Sequence, residues 1–147
     1  MKKKINIICA HINHNIREES KDELDFVVNY CKEKEIAVET TTFEKKDSIS
    51  NYSEQELREK RYQFFEEVIN KHNADYLFTA HHGDDLIETI LMRLTRGSNL
   101  KGYSGFQTET QKENYKVIKP LIYATKDDID EYLTILDMLN DAGYILA

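Results

Sequence analysis

Net positive charge is lacking in this chain and cysteine, proline, glycine and long apolar runs are scarce, and most of these features remove a class of function. The 147 residues carry a formal net charge of −7. General affinity for nucleic acid needs many cations to neutralise phosphates. Any firm hold on a whole nucleic acid must therefore come from a local basic patch or from outside the chain. The two cysteines, Cys9 and Cys31, are widely spaced and match no zinc-ligand pattern. They read as buried thiols of a reducing cytosol. No apolar run approaches the length of a membrane span. The basic start, Met1-Lys2-Lys3-Lys4, is followed by a strand-length run rather than a signal-peptide core. The reading is cytoplasmic. Among the five glycines, Gly97 and Gly102 have the spacing of a phosphate-cradling loop, but Tyr103 stands where its lysine belongs. That motif is rejected. Pro120, the only proline, fixes the entry to a last segment. Repeats and low-complexity tracts are missing.

What is present is enough for one domain or a piece of one: 40% of residues are hydrophobic and 32% charged. Ile5 to Ala10 reads as a buried strand. Ser20, with Glu23 three residues on, predicts a capped helix whose apolar face is Leu24, Val27, Val28 and Cys31. Ile36 to Phe43 reads as a second strand, and Glu44 to Asn51 as a charged loop. Ser53 and Glu56 predict the cap of another helix, with Leu57, Phe64, Phe65, Val68 and Ile69 as its core stripe. A strand at 75–79, another at Tyr115 to Ile118, and a helix capped by Thr125 and Asp128 and running to about Asn140 complete the pattern. Alternating strands and helices imply an α/β fold, a parallel sheet of at least three strands (5–10, 36–43 and 75–79) with flanking helices.

Chemistry concentrates in two places. His11, Asn13, His14, Asn15 and Arg17 follow the first strand directly. They read equally as a site wall or as a polar loop satisfying its own backbone. Arg58, Arg61 and Tyr62 share one helical turn, which by itself reads as a solvated face. The denser place is Thr79-Ala80-His81-His82-Gly83-Asp84-Asp85-Leu86-Ile87-Glu88-Thr89, continuing to Arg93-Leu94-Thr95-Arg96-Gly97-Ser98. It begins at a strand-to-helix junction, where α/β sheets collect ligands and helix N-termini attract anions. At about 100° per residue, Leu86, Ile87, Ile90, Leu91 and Leu94 form one arc. Asp85, Glu88, Thr89, Met92, Arg93 and Arg96 form the other. The apolar arc should pack. The polar arc is either a solvated ion-pair face or a site. The histidine pair at its start and the Arg-Gly-Ser turn at its end favour a site.

Taken in order, these motifs resemble the tRNA(Ile)-lysidine synthase family of the adenine-nucleotide α-hydrolase-like, or PP-loop, ATP pyrophosphatases. The resemblance rests on Ala10-His11-Ile12-Asn13-His14 with Arg17, Glu19 and Ser20; on Glu54 with Arg58, Arg61 and Tyr62; on Ala80 to Ser98; and on Lys119-Pro120-Leu121 with Lys126. It spans about residues 5 to 132. It implies a Rossmann-like fold and an ATP-dependent carbon–nitrogen ligase acting in tRNA modification. ATP, with Mg²⁺, activates C2 of the wobble cytidine of tRNA(Ile) as an adenylate, and free lysine then attacks to form lysidine. On that reading Asp85, Glu88 and His81 are catalytic. His11, Asn13, His14, Arg17, Arg58, Arg61, His82, Asp84, Thr89, Arg93, Arg96 and Gly97 bind substrate or nucleotide, and Asp84 is a candidate oxygen ligand for Mg²⁺ on the phosphates.

The chain departs from that family at both ends. It contains no Ser-Gly-Gly-x-Asp-Ser phosphate loop, and its first strand corresponds to the family's second. The match fades after Tyr132. The expectation is a single incomplete catalytic domain over 1–147, truncated at both ends, binding ATP weakly or not at all, and inactive alone unless a second chain supplies the missing parts. Three other readings stand beside it. A tRNA thiolase would use cysteine pairs, which Cys9 and Cys31 do not form in sequence. A metal-dependent hydrolase could draw on His11, His14, His81, His82, Asp84, Asp85 and Glu88, although Arg96 is a poor neighbour for a cation. A catalytically dead remnant would only bind a partner.

Overall fold

A computed structural model describes residues 5–15, 19–44, 53–95, 97 and 107–141. The chain divides into two compact units, Met1–Ala74 and Asp75–Ala147.

In the first unit, strand β1 (Ile8–Asn13) pairs in parallel with β2 (Ala37–Thr42), in register from Ile8 opposite Ala37 to Asn13 opposite Thr42. Helix α1 (Ser20–Glu33) connects them, as a parallel crossover requires. Helix α2 (Glu54–His72) follows. Both helices lie against β1, and the buried side chains here are Cys31, Phe43, Ile69 and the polar Asn13. The first strand is displaced from its sequence-based position. It starts three residues after Ile5, and Ile5 and Ile7 are exposed. It ends at Asn13 rather than Ala10, because its ladder partners Thr40, Thr41 and Thr42 extend to that point. His11 therefore lies inside the strand.

Capping at the two helices differs. Ser53 Oγ accepts the Glu56 amide at 3.2 Å, and Glu56 Oε2 accepts the Ser53 amide at 2.7 Å, a complete capping box. Asn73, in the left-handed conformation at φ 50°, ends the same helix. Ser20 does not cap α1. Glu19 occupies the cap position with helical backbone angles and makes no side-chain cap bond. Glu39 of β2 accepts from Lys71 Nζ at 2.7 Å and lies 2.8 Å from His72 Nε2, joining the last turn of α2 to the strand. The Lys71 and His72 partners hold the Glu39 carboxyl below its ordinary value.

In the second unit, β3 (Tyr76–Phe78) pairs in parallel with β5 (Lys116–Ile118), and β5 pairs antiparallel with β4 (Glu109–Gln111). The expected strands at 75–79 and 115–118 are present, but the antiparallel β4 is an addition to the parallel pattern. Its direction follows from the short link between Gln111 and Lys116, closed by the Lys112 amide donating to the Tyr115 carbonyl at 2.8 Å. Only antiparallel neighbours can be joined so tightly. Tyr115, Val117 and Ile122 are buried here. Helix α3 (Gly83–Thr95) follows β3, and α4 (Lys126–Asp141) follows β5. The expected cap of α4 is complete: Asp128 Oδ2 accepts the Thr125 amide at 2.8 Å and Thr125 Oγ1 accepts the Asp128 amide at 3.1 Å. These bonds hold the Asp128 carboxyl below its ordinary value. No helix among the described residues is long and apolar enough to cross a membrane.

The Ser53 box gives a direct test. Ser53→Ala should lower stability by about 1 kcal/mol and Ser53→Gly by only a few tenths. Urea unfolding followed by circular dichroism measures both, and equal losses would remove the side-chain bond as the cause.

Candidate active site

The segment after β3 is built around a close approach of two backbones. The Gly83 amide donates to the Ala124 carbonyl at 2.7 Å. A Cβ at position 83 would meet that oxygen at 3.1 Å and the Ile122 carbonyl oxygen at 3.4 Å. Glycine is what lets α3 start against the turn that leads into α4. Asp84 tightens the same junction. Its Oδ2 accepts the Lys126 amide at 2.7 Å, so a residue at the start of α3 satisfies a free donor at the start of α4.

The histidine pair and the carboxylates are organised on this junction. His81 Nδ1 lies 2.8 Å from Thr79 Oγ1, which fixes the plane of its ring. The His82 amide donates to Asp85 Oδ2 at 2.9 Å, so Asp85 caps its own helix. The His82 ring sits between two carboxylates, with Nδ1 3.9 Å from Asp84 and Nε2 3.6 Å from Asp85. Nδ1 is buried and makes no hydrogen bond. Thr89 Oγ1 donates to the Asp85 carbonyl at 2.8 Å, and Glu88 is exposed. Gly97, at φ 71°, donates its amide to the Leu94 carbonyl at 3.1 Å and closes the helix. His81, His82, Asp84, Asp85, Glu88, Thr89 and Gly97 thus belong to one unit. Arg93 lies on α3, but its side chain, like the whole of Arg96 and Ser98, is outside the described residues.

The packed face of α3 is only part of the arc expected from the sequence. Leu86 and Ile90 are half-buried, but Ile87, Leu91 and Leu94 of the same arc are 54%, 56% and 50% exposed. Asp85, Thr89 and Met92 of the polar arc are half-buried as well.

The remaining predicted residues lie in the first unit. Asn13 is buried, its Oδ1 accepts the Asn15 amide at 2.8 Å, and its carbonyl accepts the Phe43 amide at 2.9 Å. With Asn15 at φ 52°, this is an Asx turn, so Asn13 shapes the chain as the polar-loop reading requires. His14 stands edge-on to Phe43, centroids 5.4 Å apart. Burial, then the nearby Arg61 and His11, push the His14 pKa down, with Glu23 opposing. His11, His14 and Arg61 therefore share a neighbourhood in which His14 is biased neutral. Arg61 Nε is buried and has no hydrogen-bond partner among the described residues. Arg58 extends over the Tyr62 ring, 5.8 Å from its centroid. Arg17 lies outside the described residues, as do positions 98–106, which include Gly102 and Gly105. Thr79, Gly83 and Phe43 were not singled out as site-building residues from sequence. A glycine in the first turn of a helix was the one available signal.

No group of three His, Cys, Asp or Glu side chains able to hold a metal occurs among the described residues, so a resident metal centre does not fit them. A Mg²⁺ ion arriving on nucleotide phosphates needs only one or two carboxylates.

Residues 1–139 match the PP-loop domain family. The chain belongs to the PP-loop domain family. The match runs past Tyr132, beyond the span that its motifs carry. This PP-loop chain is 38% identical over 135 residues to a tRNA(Ile)-lysidine synthase of Bacillus subtilis (strain 168), covering 86% of the chain and 28% of that protein. It is 40% identical over 138 residues to the protein of the same name in Bacillus cereus (strain ATCC 10987 / NRS 248), covering 88% and 28%. A bifunctional protein TilS/HprT of Listeria innocua is 40% identical over 131 residues, covering 87% and 20%. The chain thus spans under a third of the length of these relatives. Among solved structures, the U34-tRNA thiolase NcsA of Methanococcus maripaludis superposes with a TM-score of 0.72 over 90% of this chain and 46% of that one, at 20% identity. The last likeness concerns the fold, which is the Rossmann-like α/β arrangement expected from the sequence.

The His14 neighbourhood predicts a pH effect. A lowered folded pKa means the unfolded chain binds the proton more readily. Stability from this group is present above the ordinary histidine value and lost as pH falls through it towards the folded value. Arg61→Gln removes the larger of the two charges opposing its protonation, so the His14 titration followed by imidazole NMR should move up, part of the way to the ordinary value. An unmoved midpoint would remove Arg61 as a cause.

Proposed function

We propose that this chain is an incomplete catalytic domain of a tRNA(Ile)-lysidine synthase and works in the cytoplasm with ATP, tRNA(Ile) and free lysine. The observation that carries the reading is the block from Ala80 to Gly97: two histidines and three carboxylates on one helix start, in a chain 38–40% identical to proteins bearing that name. Asp85 and Glu88 present carboxylates one turn apart, suited to the ammonium groups of lysine. One of these carboxylates is the candidate to help the amine lose its proton as it attacks C2 of the cytidine and AMP leaves, with His81 as the third proposed catalytic residue. Arg58, Arg61, Arg93 and Arg96, with Arg17, are the candidates for phosphate and cytidine contacts. His11, His14, His82, Asp84 and Thr89 complete the proposed binding residues, while Asn13 and Gly97 act by shaping the backbone.

The phosphate loop with the sequence Ser-Gly-Gly-x-Asp-Ser lies outside this sequence. Its backbone donors are the natural cradle for ATP phosphates. We therefore propose that another polypeptide segment supplies it, and that this chain alone binds ATP weakly and does not ligate. Calorimetry with Mg-ATP should show affinity weaker than millimolar for the chain alone, on the scale where about −4 kcal/mol marks 1 mM. Tight, magnesium-dependent binding would overturn the dependence on the loop.

The carboxylates are tested in the complete enzyme, with every missing segment present. Asp85→Asn and Glu88→Gln should each lower lysine incorporation into tRNA(Ile) about tenfold to more than a hundredfold, the loss of a charge-assisted bond of roughly 1.5–3 kcal/mol. Asn at 85 keeps an oxygen for the His82 amide, and exposed Glu88 has no part in the core, so melting temperatures should stay close to wild type. Wild-type incorporation with either variant would sink the assignment.

A further inference from the structure

We infer that the outer edge of β1 is a docking edge for one parallel strand, supplied by the polypeptide segment that carries the phosphate loop, so that the site is completed by strand addition. The two strands of the first unit differ in character. β1 reads Ile-Cys-Ala-His-Ile-Asn and has no exposed residue, whereas β2 reads Ala-Val-Glu-Thr-Thr-Thr with Ala37, Thr40 and Thr42 exposed. Both α1 and α2 lie against β1. A largely apolar strand under covering helices is the mark of an interior position in a parallel sheet. Yet β2 is the only strand paired with β1 among the described residues. An edge that stays open is normally blunted by lysine, proline or a bulge. Ile8–Asn13 contains neither lysine nor proline, and its ladder with β2 runs unbroken. β2 has the character of a true edge, with its charged Glu39 held by Lys71 and His72.

In a parallel ladder each residue turns its amide and its carbonyl towards the same neighbour, and the next residue turns both the other way. The Asn13 carbonyl accepts the Phe43 amide at 2.9 Å, on the β2 side. Asn13, His11 and Cys9 therefore face β2 with their backbones, while Ile12, Ala10 and Ile8 face outward, and these three are half-buried. Backbone groups removed from water require partners, and a strand laid along the edge supplies them. The occupant follows from the strand order of a doubly wound sheet, in which sequence strands lie 3-2-1 and the glycine-rich phosphate turn follows strand 1. β1 corresponds to the second strand of that order and β2 to the third. The place beside β1 is then that of the strand leading into Ser-Gly-Gly-x-Asp-Ser, which lies outside this sequence. A parallel direction brings the carboxyl end of that strand, and with it the loop amides, level with Asn13 and His14. Strand addition of this kind draws affinity from main-chain bonds and specificity from side-chain fit. The inference rests on the proposed dependence on the loop, but its test uses no ATP, tRNA or lysine, so the docking and the ligase activity fail separately.

The test adds a synthetic peptide to the full, isotope-labelled chain and follows amide exchange by NMR. The peptide has about six β-branched residues running into Ser-Gly-Gly-Val-Asp-Ser, with a lysine tail ahead of the strand for solubility. The Ile8, Ala10 and Ile12 amides should exchange at least roughly tenfold more slowly with the peptide than without it, while those of Cys9, His11 and Asn13, already turned to β2, change little. A nitroxide at the carboxyl end of the peptide should broaden Asn13 and His14 rather than Ile8. N-methylation of one alternate set of peptide residues should abolish both effects, and of the other set should leave them. Unchanged exchange at Ala10 and Ile12, equal slowing of every β1 amide, or broadening at Ile8 would each overturn the docking edge. Outward amides protected in the free chain by concentration-dependent dimerisation would overturn it too, with a second copy as the occupant.

Discussion

The approach of Gly83 to Ala124 is the constraint on which the candidate site depends. A backbone bond of 2.7 Å between residues that a side chain would separate fixes where α3 begins. Beside it stand the cap that Asp84 gives to Lys126 and the place of His82 between Asp84 and Asp85. The polar residues of this segment act first as builders. Asp84 and Asp85 each spend one oxygen on a backbone amide. Glu88 is exposed beside them. The two aspartates are thus held in place by hydrogen bonds within the chain itself.

Legibility from sequence followed the range of the interaction. The boxes at Ser53–Glu56 and Thr125–Asp128 were readable because cap and partner are three residues apart. The strands at 37–42, 76–78 and 116–118 were readable from composition. Three features were not. β1 is shifted to 8–13 because β2 sets its register, a partner about 29 positions away in the ladder. β4 carries the unremarkable sequence Glu-Thr-Gln and exists through its pairing with β5. The half-buried residues of α3 come from both of its arcs, and no periodicity within the helix contains that information. Of the candidate site, the density of His and carboxylates at a strand-to-helix junction was visible. The division of labour among them was not, since an Asp that caps and an Asp that binds look alike in sequence.

Asn13 carries a further consequence. Its side chain makes the turn to Asn15 locally, but its carbonyl relies on the Phe43 amide, and Phe43 in turn meets the His14 ring. The turn is therefore not a portable loop. Grafting residues 11–15 onto another scaffold would transfer the sequence without the shape. The smallest transplantable unit is a strand pair, β1 with its turn and β2 through Phe43, in which half the information defining the turn resides on the strand that never enters it.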